Sequence, residues 1–305
     1  MKNIIIIGFL AGIFPAAKAA GLSSFKPVQD SLSVLLKKMM VSKSDEEKTN
    51  INLKFLDLLR ETLKDKDSHT FPFDSLKKHK ILIESAGKEC RILNWCLRFS
   101  DETYKYFGFV QYLDPKTGIY YHWELKDRST EIKNPENAVL NPDKWYGAYY
   151  SAILTTKDKK STLYTLIGWD GNNRISQKKI LESMSIHPNG NLVFGLPVFE
   201  VEKEMGPGKK ISVWQKRVIF EYKQGVFMAL KFHPEQDRIV LDHLGPPESI
   251  KSKRFHEVGP DFSYDAYEWK KGKWKFLSMV DVKNDKTGKE KKFNDPEGIT
   301  LPPGK

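Results

Sequence analysis

The chain has 305 residues, 40% of them hydrophobic and 29% charged, with a formal net charge of +11. That length and composition supply a sizeable core, as one large domain or one domain plus a small one. After the first 20 residues no apolar run is long enough to cross a bilayer as a helix, so an integral helical membrane protein is excluded.

Met1 to Ala20 reads as a Sec-type signal peptide. Lys2 opens it, Ile4 to Phe14 is a short apolar run, and Ala17-Lys18-Ala19 fits a cleavage site after Ala19. No cysteine follows the run, so the expectation is an exported protein, periplasmic or secreted, and not a lipoprotein. The positive charge favours anionic partners such as an acidic glycan or another envelope component. Export counts against nucleic acid. The lysines are scattered over turns and tails, which is the pattern of a solvated surface.

Residues 20–79 read as helical. Val28, Leu32, Leu35, Leu36 and Met39 recur at three and four, the spacing of one buried stripe. Ser44-Asp-Glu-Glu47 predicts a capping box opening a second helix with the stripe Phe55, Leu56, Leu59 and Leu63. Asp74 is expected to cap a short turn after Phe71-Pro72-Phe73.

Near Ile81 the period changes to two, and residues 80–283 read as a β-rich domain. Ile81 to Glu84 and Cys90 to Phe99 are expected strands. The second alternates, with Leu93, Trp95, Leu97 and Phe99 on one side and Ile92, Asn94, Cys96 and Arg98 on the other. One strand holding Cys90 and Cys96 keeps them about 20 Å apart, too far for a disulfide. Tyr104 to Leu113 and Ile119 to Leu125 form a hairpin about Asp114-Pro-Lys-Thr-Gly118.

Trp145 to Arg174 predicts the central hairpin of a sheet: Tyr149 to Thr156, a polar break at Lys157 to Lys160, then Leu163 to Trp169. Asp170-Gly171 ends it. Ser176 to Met184 reads as one or two helical turns. His187-Pro-Asn-Gly190 is a tight turn between short strands. Gly206-Pro-Gly208 lies in a loop. Ile211 to Tyr222, Val226 to His233 and Arg238 to Leu244 read as a three-arm meander. Tyr264 to Lys270 and Lys273 to Leu277 form a last hairpin. Residues 284–305 read as a polar tail. The expected fold class is α+β, a small helical front followed by a large, mainly antiparallel sheet system.

The stretches GAYYSAILTTKDKKSTLYTLIGWDGNN, KRVIFEY and GPDFSYDAYEWKKGKWKF resemble a family of uncharacterised exported bacterial proteins. Its members pair a signal peptide and helical segment with W-Y-G-A, L-G-W-D-G and G-P-D-F-S-Y-D motifs. Many carry Asp after the first Trp, followed by a Gly-rich turn. Here Cys96 and Asp101-Glu-Thr103 stand there. The resemblance implies export and brings no known activity.

There is no G-x-S-x-G, H-E-x-x-H, C-x-x-C, P-loop or G-x-G-x-x-G. Four places carry chemistry. Trp145 and Tyr146, with Tyr149 and Tyr150, offer rings for sugar stacking. Trp169, Asp170 and Asn172 form an oxygen-rich turn like the front of a calcium loop, but Leu181 stands at the twelfth position where a calcium loop needs Glu. Asp242-His243 ends a strand and His256 follows. Asp261, Ser263, Tyr264 and Asp265 place two acids four apart, a spacing open to acid and base work.

No metal or cofactor is expected. Two function classes follow. The first is a non-enzymatic binding protein associated with the envelope. The second is a glycan-directed hydrolase using the 259–265 acids with Asp170 or Asp242. The second requires two of those carboxylates to converge in one cleft.

Overall fold

The computed structural model describes residues 25–157, 162–206 and 209–281. The expected leader, most of the polar break after Lys157, Pro207-Gly208 and the expected tail lie outside the described residues.

Helix α1 (Lys26–Val41) has Pro27 in its first turn, where no amide hydrogen is needed. Its stripe Leu32, Leu36 and Met39 is buried. Helix α2 (Asp45–Thr62) opens on Ser44, whose hydroxyl accepts from the Glu47 amide at 3.2 Å. The reciprocal half of the box differs, because the Glu47 carboxylate instead accepts from the Ser42 hydroxyl at 2.6 Å. A short helix α3 (Asp74–Lys78) follows. Asp74 is its first helical residue and not its cap; Phe73 holds the cap position in the left-handed region, at φ 45°.

Among the described residues, fifteen strands then build three sheets. Strands β1 (Leu82–Glu84), β2 (Cys90–Arg98), β3 (Tyr104–Leu113) and β4 (Tyr120–Lys126) form a four-stranded antiparallel sheet in sequence order. Strands β5 (Tyr149–Lys157), β6 (Thr162–Asp170), β7 (Ser176–Ile186) and β11 (Arg217–Lys223) form a second, ordered β11-β7-β6-β5, with β8 (Leu192–Phe194) also on β7. The third runs β10-β9-β15-β14-β13-β12. Its members are β9 (Phe199–Gly206), β10 (Lys209–Gln215), β12 (Leu230–His233), β13 (Arg238–Gly245), β14 (Gly259–Lys270) and β15 (Lys273–Leu277). All pairings are antiparallel except β15 with β9.

The sheets stack with the β5–β6–β7–β11 sheet in the middle. Alternation along β2 sends Leu93, Trp95 and Leu97 against the helices, where Trp95 donates to Asn52 at 2.7 Å. It sends Cys90 and Ile92 the other way, against Tyr150, Leu166, Ile180 and Met184 of the middle sheet. The opposite face of the middle sheet, with Leu163, Ile167, Leu181 and Val218, packs on Phe199, Ile239, Leu241 and Trp274 of the six-stranded sheet. Helices, four strands, five strands and six strands thus form successive layers, each contact burying one face of a period-two pattern. This is an α+β protein. No described helix is long and apolar enough to cross a membrane.

Four expectations need correction. Residues 176–186 are strand β7, not helical turns. The segment is flanked by β6 and β11 along its length, and that ladder overrides a helix-favouring composition. The central hairpin is half at an edge: β6 is interior and β5 ends its sheet. The expected strand 211–222 breaks at Lys216, where the amides of Lys216 and Arg217 both donate to the Glu136 carbonyl. Its halves, β10 and β11, join different sheets, so the meander is β12-β13-β14 and Val226 to Ala229 is not strand. Finally, the strand expected from Tyr264 begins at Gly259, so the 259–265 acids lie within β14 and not ahead of it. Cys90 and Cys96 are both free and both on β2, as the alternation required.

Candidate functional site

The structure does not gather the predicted site residues into one site. Trp145, Tyr146 and Tyr150 are buried between layers and offer no face for a sugar. The Trp145 indole donates to the Tyr150 hydroxyl at 2.8 Å, and that hydroxyl donates onward to Glu182. Glu182 is paired with Arg217, both side chains fully buried, and the guanidinium lies 5.2 Å from the Tyr146 ring centre. Burial pushes the Tyr150 phenol well above its ordinary range, so it acts as a neutral donor. The sequence left this aromatic cluster open to sugar stacking or to the core, because the ion pair that holds it comes from β7 and β11.

The Asp170 turn is likewise closed on itself. Asp170 is 7% exposed; it accepts from the Tyr106 hydroxyl at 2.9 Å and the Asn172 amide at 2.8 Å, and sits 3.5 Å from the Lys178 ammonium. Asn172 donates to Ser176 and Glu221 and accepts from Lys178. With these oxygens committed internally, the turn is a strand-ending device. Gly171 serves it directly, since a Cβ there would lie 2.3 Å from the Tyr104 ring.

At the end of β13 the two neighbours part. Asp242 accepts the Ala229 amide at 2.7 Å. His243, at a break in the β13–β14 register, turns to Asp265, with Nδ1 2.7 Å from Oδ2. Asp265 is buried and also accepts the Met279 amide at 3.1 Å. Asp261 approaches His243 Nε2 at 3.9 Å and is bound by the Ser263 hydroxyl at 2.6 Å, which holds its carboxyl below the usual range. Tyr264 is partly exposed and His256 sits 3.6 Å from Glu257, away from this cluster's contacts. Asp261 and Asp265 therefore converge on one imidazole, and Asp170 and Asp242 do not join them. His243 and Asp265 line a cavity of about 430 Å³ between β11 and the six-stranded sheet.

A second concavity was not anticipated from the sequence, apart from Trp169 and Tyr149. Directly opposed residues share a face, so Tyr149, Trp169, Lys179 and Phe220 form one row across the middle sheet. Tyr149, Trp169 and Lys179 of that row remain half-buried. Together with Leu36, Met39 and Met40 of α1, Trp95 of β2, and Val226 and Phe227, they line a groove of about 740 Å³.

The groove wall is braced. The Trp169 indole donates to Gln177 at 2.8 Å, and Gln177 donates to the Val226 carbonyl at 2.8 Å. The Tyr104 ring meets Trp169 edge-on at 5.3 Å. Tyr149 donates to the Lys80 carbonyl at 2.8 Å. These bonds fix indole, phenol and the 226–227 segment before any ligand arrives. Phe227 is 79% exposed and Met40 65%, large apolar side chains left mostly open at the rim by the described residues. Among those residues no group of His, Cys, Asp and Glu is arranged to hold a metal ion.

Comparison of the chain with protein-family models, with curated proteins and with solved structures gives no match in any of the three.

Proposed function

We propose that this is an exported, non-enzymatic binding protein of the cell envelope, and that its ligand lies in the groove between α1 and the middle sheet. The observation that carries this reading is the braced row of Tyr149 and Trp169, which lines one groove with the exposed Met40 and Phe227 and the largely buried Leu36 and Met39. The volume falls in the range of small-molecule sites, about 300–1,000 Å³. A fixed aromatic floor lowers the ordering cost of binding. Methionines adapt to irregular apolar shapes. The leader-like residues 1–20 support export, and protein recovered from the periplasm beginning at Ala20 would bear that part out.

Calorimetry with a homologous series of straight-chain alcohols tests the groove. Each added methylene that enters it strengthens binding by up to about 0.8 kcal/mol, and Trp169→Ala weakens every member of the series. Absence of binding by all chain lengths refutes the groove as a ligand site.

One observation favours a second reading, a hydrolase: Asp261 and Asp265 flank His243 beside a cavity. It ranks second because both carboxylates are already engaged, Asp261 by Ser263 and Asp265 by Met279 and His243. Turnover of a chromogenic glycoside lost in a folded Asp261→Ala variant would support it. No turnover by the wild type ends it.

A further inference from the structure

We propose that the groove's ligand carries a single anionic head on an apolar tail, an acyl-chain carboxylate, and that Lys179 pairs with the head. This deepens the groove reading above and rests on it.

Lys179 projects from β7 in the same row as Trp169. It is half-buried, and its ammonium stands 5.8 Å from the Phe227 ring centre. It has no carboxylate partner among the described residues. A buried cation without an anion is costly to maintain, and here burial lowers its proton affinity with no opposing cause. Every other lysine or arginine in the lining is committed. Lys48 is bound to Asp45 at 3.3 Å and to the Arg98 carbonyl at 3.0 Å. Arg98 pairs with Glu102 at 3.2 Å. Among the described residues the groove thus presents one positive charge without a carboxylate partner, set over the Phe227 ring beside an aromatic and aliphatic trough.

That pattern selects the ligand. One ammonium matches one negative charge, whereas a phosphate dianion is ordinarily met by a guanidinium fork or several cations. A glycan would find Ser42, Ser151 and Gln177 in the lining but would also press hydroxyls against Leu36, Met39 and Met40, which offer no hydrogen-bonding partner. An acyl tail finds apolar surface along the same wall. The acidic glycan expected from net charge therefore fits this groove less well than a fatty carboxylate does.

The test compares decanoate with decan-1-ol on the full mature chain, by calorimetry, for wild type, Lys179→Met and Lys179→Arg. Methionine keeps the apolar stem and removes the charge; arginine keeps the charge. The wild type should bind decanoate about tenfold more tightly than decan-1-ol. Lys179→Met should bring decanoate to the level of the alcohol, leave the alcohol unchanged, and be rescued by Lys179→Arg. Equal binding of the two probes, or loss of both in a folded Lys179→Met, overturns the head-group assignment while leaving the groove standing. No binding of either probe by the wild type overturns both.

Discussion

Asn94 closes the backbone of Tyr150 from both sides. Its side-chain carbonyl accepts the Tyr150 amide at 2.5 Å and its side-chain amide donates to the Tyr150 carbonyl at 3.2 Å. Asn94 is fully buried on β2, and Tyr150 is on β5, the edge of the middle sheet. The one side chain thus does for that edge what a neighbouring strand would do, and it joins the four-stranded sheet to the five-stranded one.

Asn94→Ala leaves a buried amide and a buried carbonyl unpaired. It should lower stability by about 2–4 kcal/mol. Asn94→Asp should do as badly, because a carboxylate cannot donate to the Tyr150 carbonyl. Urea unfolding checks both: a lower midpoint at unchanged slope is expected, and wild-type stability in Asn94→Ala would contradict the role.

The Glu182–Arg217 pair predicts a distinct pattern. Removing either partner alone strands a buried charge and should cost about 3–5 kcal/mol. Replacing both, with Glu182→Leu and Arg217→Met, should recover much of that loss. A double-mutant cycle in urea measures it, and simple additivity of the two single losses would contradict the pairing.

Cys96 reaches the groove, yet burial, followed by the charge of Asp170, raises its thiol to about 12. Cys90 is fully buried and is also raised. At mildly alkaline pH the Cys96 thiolate should be on the order of a thousandfold scarcer than in a free cysteine. Ellman's reagent should therefore react slowly with the folded chain and rapidly with two thiols in guanidinium. Fast labelling of the native protein would contradict the packing around β2.

Affinity for a carboxylate should depend on pH through Lys179. Its ammonium loses its proton below the ordinary lysine value of 10.5 because it is buried. Raising the pH from neutrality should therefore weaken decanoate binding before that value is reached and leave decan-1-ol unaffected. A parallel pH profile for both probes would show that the lysine does not contact the head.

Local chemistry made the hairpins legible. Asp114 to Gly118, Asn189-Gly190 and Lys271-Gly272 specify their turns within a few residues, and each turn stands where expected. The alternation along β2 read both of its faces correctly, and Asn94 lies on the Ile92 side, bonded to Tyr150. Gln177 to Met184 misled because straight-chain residues favour helix in isolation, whereas two flanking strands decide the outcome. The break at Lys216 carries no Gly or Pro; the Glu136 carbonyl that makes it lies 80 positions away. The groove was invisible for the same reason. It gathers side chains from position 36 to position 227, and only Trp169 and Tyr149 stood out as candidates along the chain. The W-Y-G-A and L-G-W-D-G elements, open along the chain to ligand contact or to packing, are largely internal packing.

The indole region of a ¹⁵N–¹H correlation spectrum during decanoate titration gives the most direct check on the groove. There are seven tryptophans; Trp169 and Trp95 line the groove, whereas Trp145 and Trp274 are fully buried elsewhere. Saturable shifts of the Trp169 and Trp95 indole signals, with Trp145 and Trp274 unmoved, are the expected result. Shifts confined to other tryptophans, or none at saturating decanoate, would contradict it.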